Sequence, residues 1–396
     1  MIGSELPKGW DIQPLKEVVT STKGKKPKQL SELPFDNSIP YIDIKALEKD
    51  LIEQYADVES SKSFSPNDIA VVWDGARCGW VSKSKEGAIG STICALTPKN
   101  NIESNYLYYF LLEKYPIVNS KGRGVGIPHV DPTFFWDMEV PIPSPKEQKQ
   151  IAEKLDKLFD QIETIKEASN KIPELLKNFR RQVLTYAVTG KLIESTPEPR
   201  MLGELIDELK YGTSQKADYD IEGFPVLRIP NINNGEIDSS DLKYVPLDDK
   251  EYNQLSLQEG DILVIRSNGS LSIVGQCAIV RKECENWVYA GYLIRIRCTH
   301  ELLPEYLNYI FQSYQVRKQI VEKSHSMSGV NNFSADKIKQ LEIAWYPVEV
   351  QKQIVDKLNS IFGKLNEIEK QYNTLCEKLE KLPQTLLCKA FKGELI

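Results

Sequence analysis

The stretch QKQIAEKLDKLFDQIETIKEASNKIPELLKNFRRQVLTYAVTGKLI, residues 148–193, decides how this chain is organised, because it recurs. Its second copy, QKQIVDKLNSIFGKLNEIEKQYNTLCEKLEKLPQTLLCKAFKGELI, occupies residues 351–396. The offset is a constant 203 residues, and sixteen of forty-six positions are identical without a gap. Self-similarity at so long a period means two copies of one plan rather than a solenoid of short units. Further out, the match continues with gaps. Ile39-Pro40-Tyr41-Ile42 resembles Phe224-Pro225-Val226-Leu227, Asp68-Ile69-Ala70-Val71 resembles Asp261-Ile262-Leu263-Val264, and Tyr106-Leu107-Tyr108-Tyr109 resembles Tyr306-Leu307-Asn308-Tyr309. Each copy is therefore a mixed domain followed by a long helix. The join falls near Pro197 and Pro199, which favour extended backbone.

Both repeated stretches carry apolar residues alternating by four and three. In the first copy the series runs Ile151, Leu155, Leu158, Ile162, Ile165, Ser169, Ile172, Leu176, Phe179 and Val183; in the second, Ile354, Leu358, Ile361, Leu365, Ile368, Tyr372, Leu375, Leu379, Leu382 and Leu386. That is a heptad seam, which predicts pairing with a partner helix; the other reading is two amphipathic helices lying on their own domains. Pro173 and Pro383 interrupt the pattern, since each removes a backbone donor. The straight part of the seam is expected in its first three heptads. The domains show short Val-, Ile- and Tyr-rich runs bounded by Gly, Asn and Pro. They predict strands at 69–73, 89–96, 262–266 and 288–298, with helices at 104–114 and 304–322. A small α+β fold is expected in each copy.

Composition excludes several classes. Apolar residues make up 41% and charged residues 27%, as in an ordinary globular protein. Fifty basic against fifty-six acidic residues give a net charge of −6, which excludes a uniformly basic coat but not a local basic patch. No stretch approaches the ~20 apolar residues that span a bilayer, and the first residues lack a signal-peptide core. Seven cysteines without a C-x-x-C pair read as free or buried thiols of a reducing cytoplasm. Three scattered histidines argue against a zinc site, and no metal is expected.

Catalytic motifs are weak. Gly122, Gly124 and Gly126 form a glycine-rich stretch, and Asp131-Pro132-Thr133-Phe134 faintly resembles the Asp/Asn-Pro-Pro-Tyr/Phe motif of adenine methyltransferases. The spacing argues against that use. A cofactor loop must follow a strand and open a helix, with a full α/β unit before the catalytic loop, and here only four residues intervene. No G-x-S-x-G and no phosphate-binding G-x-x-x-x-G-K-[ST] occurs. Basic polar loops are the better signal. The first copy offers Lys23, Lys25, Lys26 and Lys28, then Arg77, then Lys121, Arg123 and His129. The second offers Arg228, then Arg266 and Asn268, then Ser324, His325, Asn331 and Asn332. Arg can bond a guanine edge in a bidentate way, Asn an adenine edge, and Lys or Ser a phosphate, so these are the candidate DNA-binding residues.

At Pro141-Ile-Pro-Ser-Pro-Lys-Glu-Gln-Lys-Gln-Ile-Ala152 the chain resembles the specificity subunits of type I restriction-modification systems, where a strand ending in proline leads into Glu-Gln-x-x-Ile and a long helix. The second copy, Trp345-Tyr-Pro-Val-Glu-Val-Gln-Lys-Gln-Ile354, departs from it by placing Val350 where Glu147 stands. Leu6-Pro-Lys-Gly-Trp-Asp11 resembles the family's start, and Gly190-Lys-Leu192 and Gly393-Glu-Leu395 its helix ends. The resemblance implies a subunit that reads double-stranded DNA and has no catalytic residues or cofactor of its own. It implies two methyltransferase subunits as partners, bringing S-adenosylmethionine, and optionally two translocase-nuclease subunits bringing ATP and Mg2+.

The expected fold class is accordingly α+β: two globular target recognition domains joined by two long antiparallel coiled-coil helices, with pseudo-two-fold symmetry from the repeat. The expected segments are recognition domain 1 at 1–145, spacer helix 1 at 146–195, recognition domain 2 at 196–346 and spacer helix 2 at 347–396. Ile151, Leu155, Leu158 and Ile162, with Ile354, Leu358, Ile361 and Leu365, are the expected helix-pairing residues. A helix from Ile151 to Val183 spans roughly 50 Å, more than the ~34–36 Å of one DNA turn, so it suits two half-sites with an unread spacer. The net charge implies that partners supply much of the phosphate grip. Two rival readings are a coiled-coil scaffold that binds proteins and a stand-alone methyltransferase. No membrane association is expected, and the cytoplasm is the expected location.

Overall fold

The computed structural model describes residues 6–99, 101–124, 126–324 and 330–395. The chain divides into two compact units, Met1–Asn170 with Asn373–Ile396, and Lys171–Tyr372. Each is a mixed α+β domain with long-helix segments packed on it.

In the first unit, strands Val19–Lys23, Ile93–Pro98, Ile69–Val72 and Val81–Lys83 form an antiparallel sheet in that order. The run at 69–72 is wholly apolar because both its faces are covered. Ile69 and Val71 join the core beneath helix Ser104–Ser120, while Ala70 faces the cluster around Ile42 and Ile89. The second unit repeats this. Strands Ile206–Tyr211, Leu293–Cys298, Ile262–Ile265 and Cys277–Ile279 form its sheet, with Ile262 and Val264 in one cluster and Leu263 and Ile265 in another.

Three sequence expectations need correction. The runs at 89–96 and 288–298 are each two strands, Ala88–Ile89 with Ile93–Pro98 and Val288–Tyr289 with Leu293–Cys298. The first strand of each pair lies in a second sheet, parallel to Ser38–Ile42 or Phe224–Leu227, and the chain turns at a glycine to enter the antiparallel one. At Gly90 a Cβ would lie 2.7 Å from the Ile42 carbonyl oxygen, so only glycine permits the approach. The helix expected at 304–322 is likewise two, Pro304–Gln312 and Tyr314–Ser324, parted by the extended, buried Ser313.

The long helices differ in continuity. The second runs unbroken from Val348 to Ala390, with Pro383 inside it. The first runs Pro145–Ser169, loses its hydrogen-bond ladder, and resumes as Ile172–Val188. Pro173, which has no N–H for the Ser169 carbonyl, lies at the break, while Asn170 and Lys171 keep right-handed helical dihedrals. The straight rod from Ile151 to Val183 is therefore interrupted. Both helices finish in a left-handed glycine turn, at Gly190 (φ 81°) and Gly393 (φ 74°).

Within each unit, the start of one long helix meets the end of the other. In the first, Ile151 and Leu155 share a core with Leu387, Ala390 and Phe391, and Lys154 Nζ donates to the Leu395 carbonyl at 2.6 Å. In the second, Ile354, Leu358 and Leu365 share a core with Val183, Leu184 and Ala187, and Lys357 Nζ donates to the Leu192 carbonyl at 2.9 Å. The same contact recurs inside each unit at an offset of 203, as the sequence repeat predicts. The buried face is wider than a two-position seam. Ala152, Val355 and Phe362 are buried beside it, whereas Leu158 and Ile361 are only half-buried and Ile165 and Ile368 are exposed. The helices thus pack on their own domains as well as on each other.

A duplicated clamp fixes each helix to its domain. Gln148 and Gln351 are both fully buried. The Gln148 amide accepts from Glu103 N–H at 2.8 Å and donates to the carbonyls of Asn101 and Pro143, both at 3.0 Å. Gln351 accepts from Leu303 N–H at 2.8 Å and donates to Glu301 and Tyr346 carbonyls at 2.8 and 2.6 Å. The glutamine of the helix-start motif is thus a buried strut. Glu147, which Val350 replaces in the second copy, closes a capping box with Ser144.

Candidate nucleic-acid interface

Strand register brings the polar loops of each domain to the same place. In the first domain, Trp73 and Asp74 follow strand Ile69–Val72, and Lys23 ends strand Val19–Lys23. Lys23 Nζ lies 2.6 Å from Asp74 Oδ2 and 5.4 Å from the Trp73 ring centre. The Trp73 carbonyl accepts from Val130 N–H at 2.9 Å, which draws in the loop before it. There Arg123 and His129 exchange two backbone hydrogen bonds of 2.8 Å. Arg123 Nη2 sits 2.7 Å from Asp131 Oδ2, and Lys121 Nζ lies 4.1 Å from the Phe134 ring centre. Lys25, Lys26 and Lys28 continue from Lys23 as an exposed loop, anchored where Ser60 Oγ accepts from Lys28 N–H at 2.8 Å.

In the second domain, Arg266 and Ser267 follow strand Ile262–Ile265, and the Arg266 carbonyl accepts from Phe333 N–H at 2.7 Å. Ser267 and Asn268 pair with Asn332 and Asn331. The Arg266 guanidinium lies 4.6 Å from the ring centre of Tyr211, which ends strand Ile206–Tyr211. Position by position, Trp73 corresponds to Arg266, Lys23 to Tyr211, His129 to Asn332 and Asp131 to Ser334. The cation over an aromatic ring recurs, with cation and ring exchanged between strands.

Asp131 has a structural role that explains the sequence around it. Its carboxylate caps the helix Pro132–Trp136, accepting from Thr133 N–H at 3.0 Å and Phe134 N–H at 3.4 Å. Burial pushes its pKa up, but the Phe134 N–H and the Arg123 guanidinium outweigh this and hold it below the usual carboxylate value. Ser334 caps Ala335–Lys339 in the same way.

Not every expected residue reaches the patches. Arg77 pairs with Glu48. Arg228 Nη2 lies 2.9 Å from both the carboxylate and the carbonyl of Asp241, closing a loop of its own domain. Ser324 is only 1% exposed, because helix Tyr314–Ser324 carries it on the face of Val316 and Ile320. Asn331 is 7% exposed and its amide donates to the Gly269 carbonyl at 3.0 Å, so it ties the loop rather than facing solvent. Asn332 is exposed. His325 lies outside the described residues. Trp73, Asp74 and Tyr211 belong to the patches and have no loop signature of their own. Extending the match at Asp68 and Asp261 by two residues would have aligned Trp73 with Arg266, but Tyr211 arrives through non-local strand pairing.

Two mixed domains, each carrying a polar patch at the same strand ends and each braced on a long helix, define a duplicated recognition module. The family model for the type I restriction modification DNA specificity domain matches twice, over residues 7–174 and 195–378. The chain therefore belongs to the type I restriction-modification DNA specificity family, whose role is DNA sequence recognition. It is 33% identical to the EcoKI specificity subunit of Escherichia coli K12, over 100% of this chain and 91% of that protein. It is 25% identical to the MjaVIII specificity subunit of Methanocaldococcus jannaschii, over 98% and 94%. The fold is shared with the HsdS subunit of Thermoanaerobacter tengcongensis, at a TM-score of 0.70 and 17% identity over 100% and 99% of the two chains. A structure describing complex assembly and conformational transition of the type I R-M system matches at 0.72 and 17%, over 99% and 100%. Among the described residues, no helix is long and apolar enough to cross a membrane.

Proposed function

We propose that each domain reads one half of a bipartite double-stranded DNA target, and that the two long helices set the unread spacer and dock two methyltransferase subunits. The chain contributes no catalytic group. S-adenosylmethionine enters with the methyltransferase subunits; ATP and Mg2+ enter with two translocase-nuclease subunits where these join, in the cytoplasm. The observation that carries this reading is the duplicated patch. Equivalent strand ends present Lys23, Trp73, Asp74 and His129 in one domain and Tyr211, Arg266, Ser267 and Asn332 in the other. The same scaffold with different polar groups is what two different half-sites require, because base edges are told apart by donor and acceptor pattern. The capping role of Asp131 gives a structural reason for the motif that most favoured a methyltransferase in this chain. The net charge of −6 fits a subunit whose partners supply much of the phosphate contact. Selection from a random duplex pool with the reconstituted complex tests the reading. Enrichment of two short motifs at a fixed separation is expected; one continuous motif, or none, would overturn it.

A further inference from the structure

Residues 201–346 contain six arginines, and the structure accounts for five of them internally. Arg228 pairs with Asp241, Arg281 with Glu236, and Arg295 and Arg297 with Glu208 and Asp261. Arg317 is held by the carbonyls of Leu271, Ser272 and Val274. Arg266 differs. Among the described residues it has no ion pair, its Nε is buried without a hydrogen-bond partner, and Nη1 makes only a 3.5 Å contact to the Gly291 carbonyl. What holds it is the Tyr211 ring at 4.6 Å. That ring is itself fixed, because Tyr211 Oη accepts from Ala335 N–H at 3.0 Å, at the start of helix Ala335–Lys339. In the first domain the equivalent cation, Lys23, is neutralised by Asp74; Ser267 stands in that aspartate's place in the second.

We propose that Tyr211 is a positioning residue that aims Arg266 at a guanine in the second half-site. The inference rests on the reading that the second domain recognises DNA. A guanidinium held against an aromatic ring is restricted in where it can point, and its planar fork of donors matches the paired acceptors O6 and N7 of guanine. Arg266 reaches the patch with no carboxylate beside it among the described residues, whereas Lys23 arrives paired with Asp74. The two domains therefore read different chemistry at this equivalent position.

The test is base preference at each position of the methylated motif, using the reconstituted complex with its methyltransferase subunits. Arg266→Ala should lower preference for one guanine of the second half-site by roughly 5- to 150-fold. Tyr211→Leu should relax that same position, by less, and leave the first half-site unchanged. Tyr211→Phe keeps the ring but loses the Ala335 contact, and should give a preference between those of the leucine variant and wild type. The unaltered first half-site reports in the same molecule that the subunit is assembled. If wild-type complex shows a bipartite motif but Tyr211→Leu lowers affinity equally for all bases, Tyr211 is only structural and the inference fails. If Arg266→Ala changes no position, or a position other than guanine, it also fails. If wild-type complex selects no motif, the underlying reading fails instead.

Discussion

Replacing Gln351 by leucine should loosen the second unit by an amount the structure allows one to work out. The side chain is fully buried and serves three backbone groups. Of these, the Glu301 carbonyl keeps a second donor, Trp345 Nε1 at 3.1 Å. Leu303 N–H and the Tyr346 carbonyl lose the partner the side chain gave them. Leaving a buried polar group unpaired costs about 1–3 kcal/mol, so two orphans imply about 2–6 kcal/mol. Leucine fills nearly the same volume and returns some apolar burial, which moves the expectation to about 2–4 kcal/mol. With a urea m-value of about 2 kcal/mol/M for a unit of this size, the midpoint should fall by about 1–2 M. Urea unfolding read by amide hydrogen exchange in residues 293–311 reports the unit directly, which matters because a chain of two units need not unfold in one step. Gln148→Leu should likewise loosen the first unit, read at residues 93–111, because Glu103 N–H and the Pro143 carbonyl lose the same partner, while the carbonyl of the exposed Asn101 can turn to water. A midpoint shift below about 0.3 M for both variants would refute the strut, and with it the explanation for glutamine in the helix-start motif.

Other outcomes follow from the same geometry. Lys25→Ala with Lys26→Ala should weaken binding to all sequences alike and flatten the salt dependence by about 1.8 units of slope, if both lysines meet phosphate; filter binding across salt concentrations checks this. Asp131→Ala should keep methylation within a few-fold of wild type in the reconstituted complex while costing about 1 kcal/mol of stability through the lost cap, and a collapse of turnover with DNA binding intact would reinstate a catalytic role. Asp57 anchors the base of the Lys25–Lys28 loop: its carboxylate accepts from Gln29 N–H and from Ser60 N–H, both at 2.9 Å. The Ser60 contact and the Gln29 N–H depress its pKa to about 2. A depressed folded-state pKa means the contribution is present above the unfolded value and is lost as pH falls through about 2. Carboxyl-carbon NMR should therefore find Asp57 ionised from about pH 6 down to about pH 3, whereas a midpoint near the ordinary aspartate value would contradict the anchor.

Much of the architecture is legible in the sequence because it is written twice. The repeat at residues 148 and 351 predicts two domains of one plan, each with a long helix, and the apolar runs at 69–72 and 262–265 are strands because both faces are buried. The breaks at Gly90 and Gly291 are not legible in the same way. A run such as 288–298 reads as one strand until the partner strands show that its halves belong to different sheets. Pro173 and Pro383 look alike in sequence, yet only the first coincides with a break in its helix. The site was legible as loops rather than as a surface. The pairing of Ser267 and Asn268 with Asn332 and Asn331 brings Arg266, Asn268 and Asn332 together, while Arg228 and Ser324 are drawn into internal contacts by Asp241 and by the buried face of a helix. Tyr211 could not be foreseen, because its meeting with Arg266 depends on the order Ile206–Tyr211, Leu293–Cys298, Ile262–Ile265 across the sheet.

We propose above that each domain reads its own half of the target. Exchange of residues 196–346 for the corresponding region of another type I specificity subunit tests it directly, since the segment begins just before strand Glu198–Met201 and ends before helix Val348–Ala390. Methylated motifs would be read by sequencing the genome of cells carrying the hybrid with the native methyltransferase subunit. One half of the motif should change to that of the donor subunit while the other half stays as it was. A motif altered in both halves, or in neither, would contradict it.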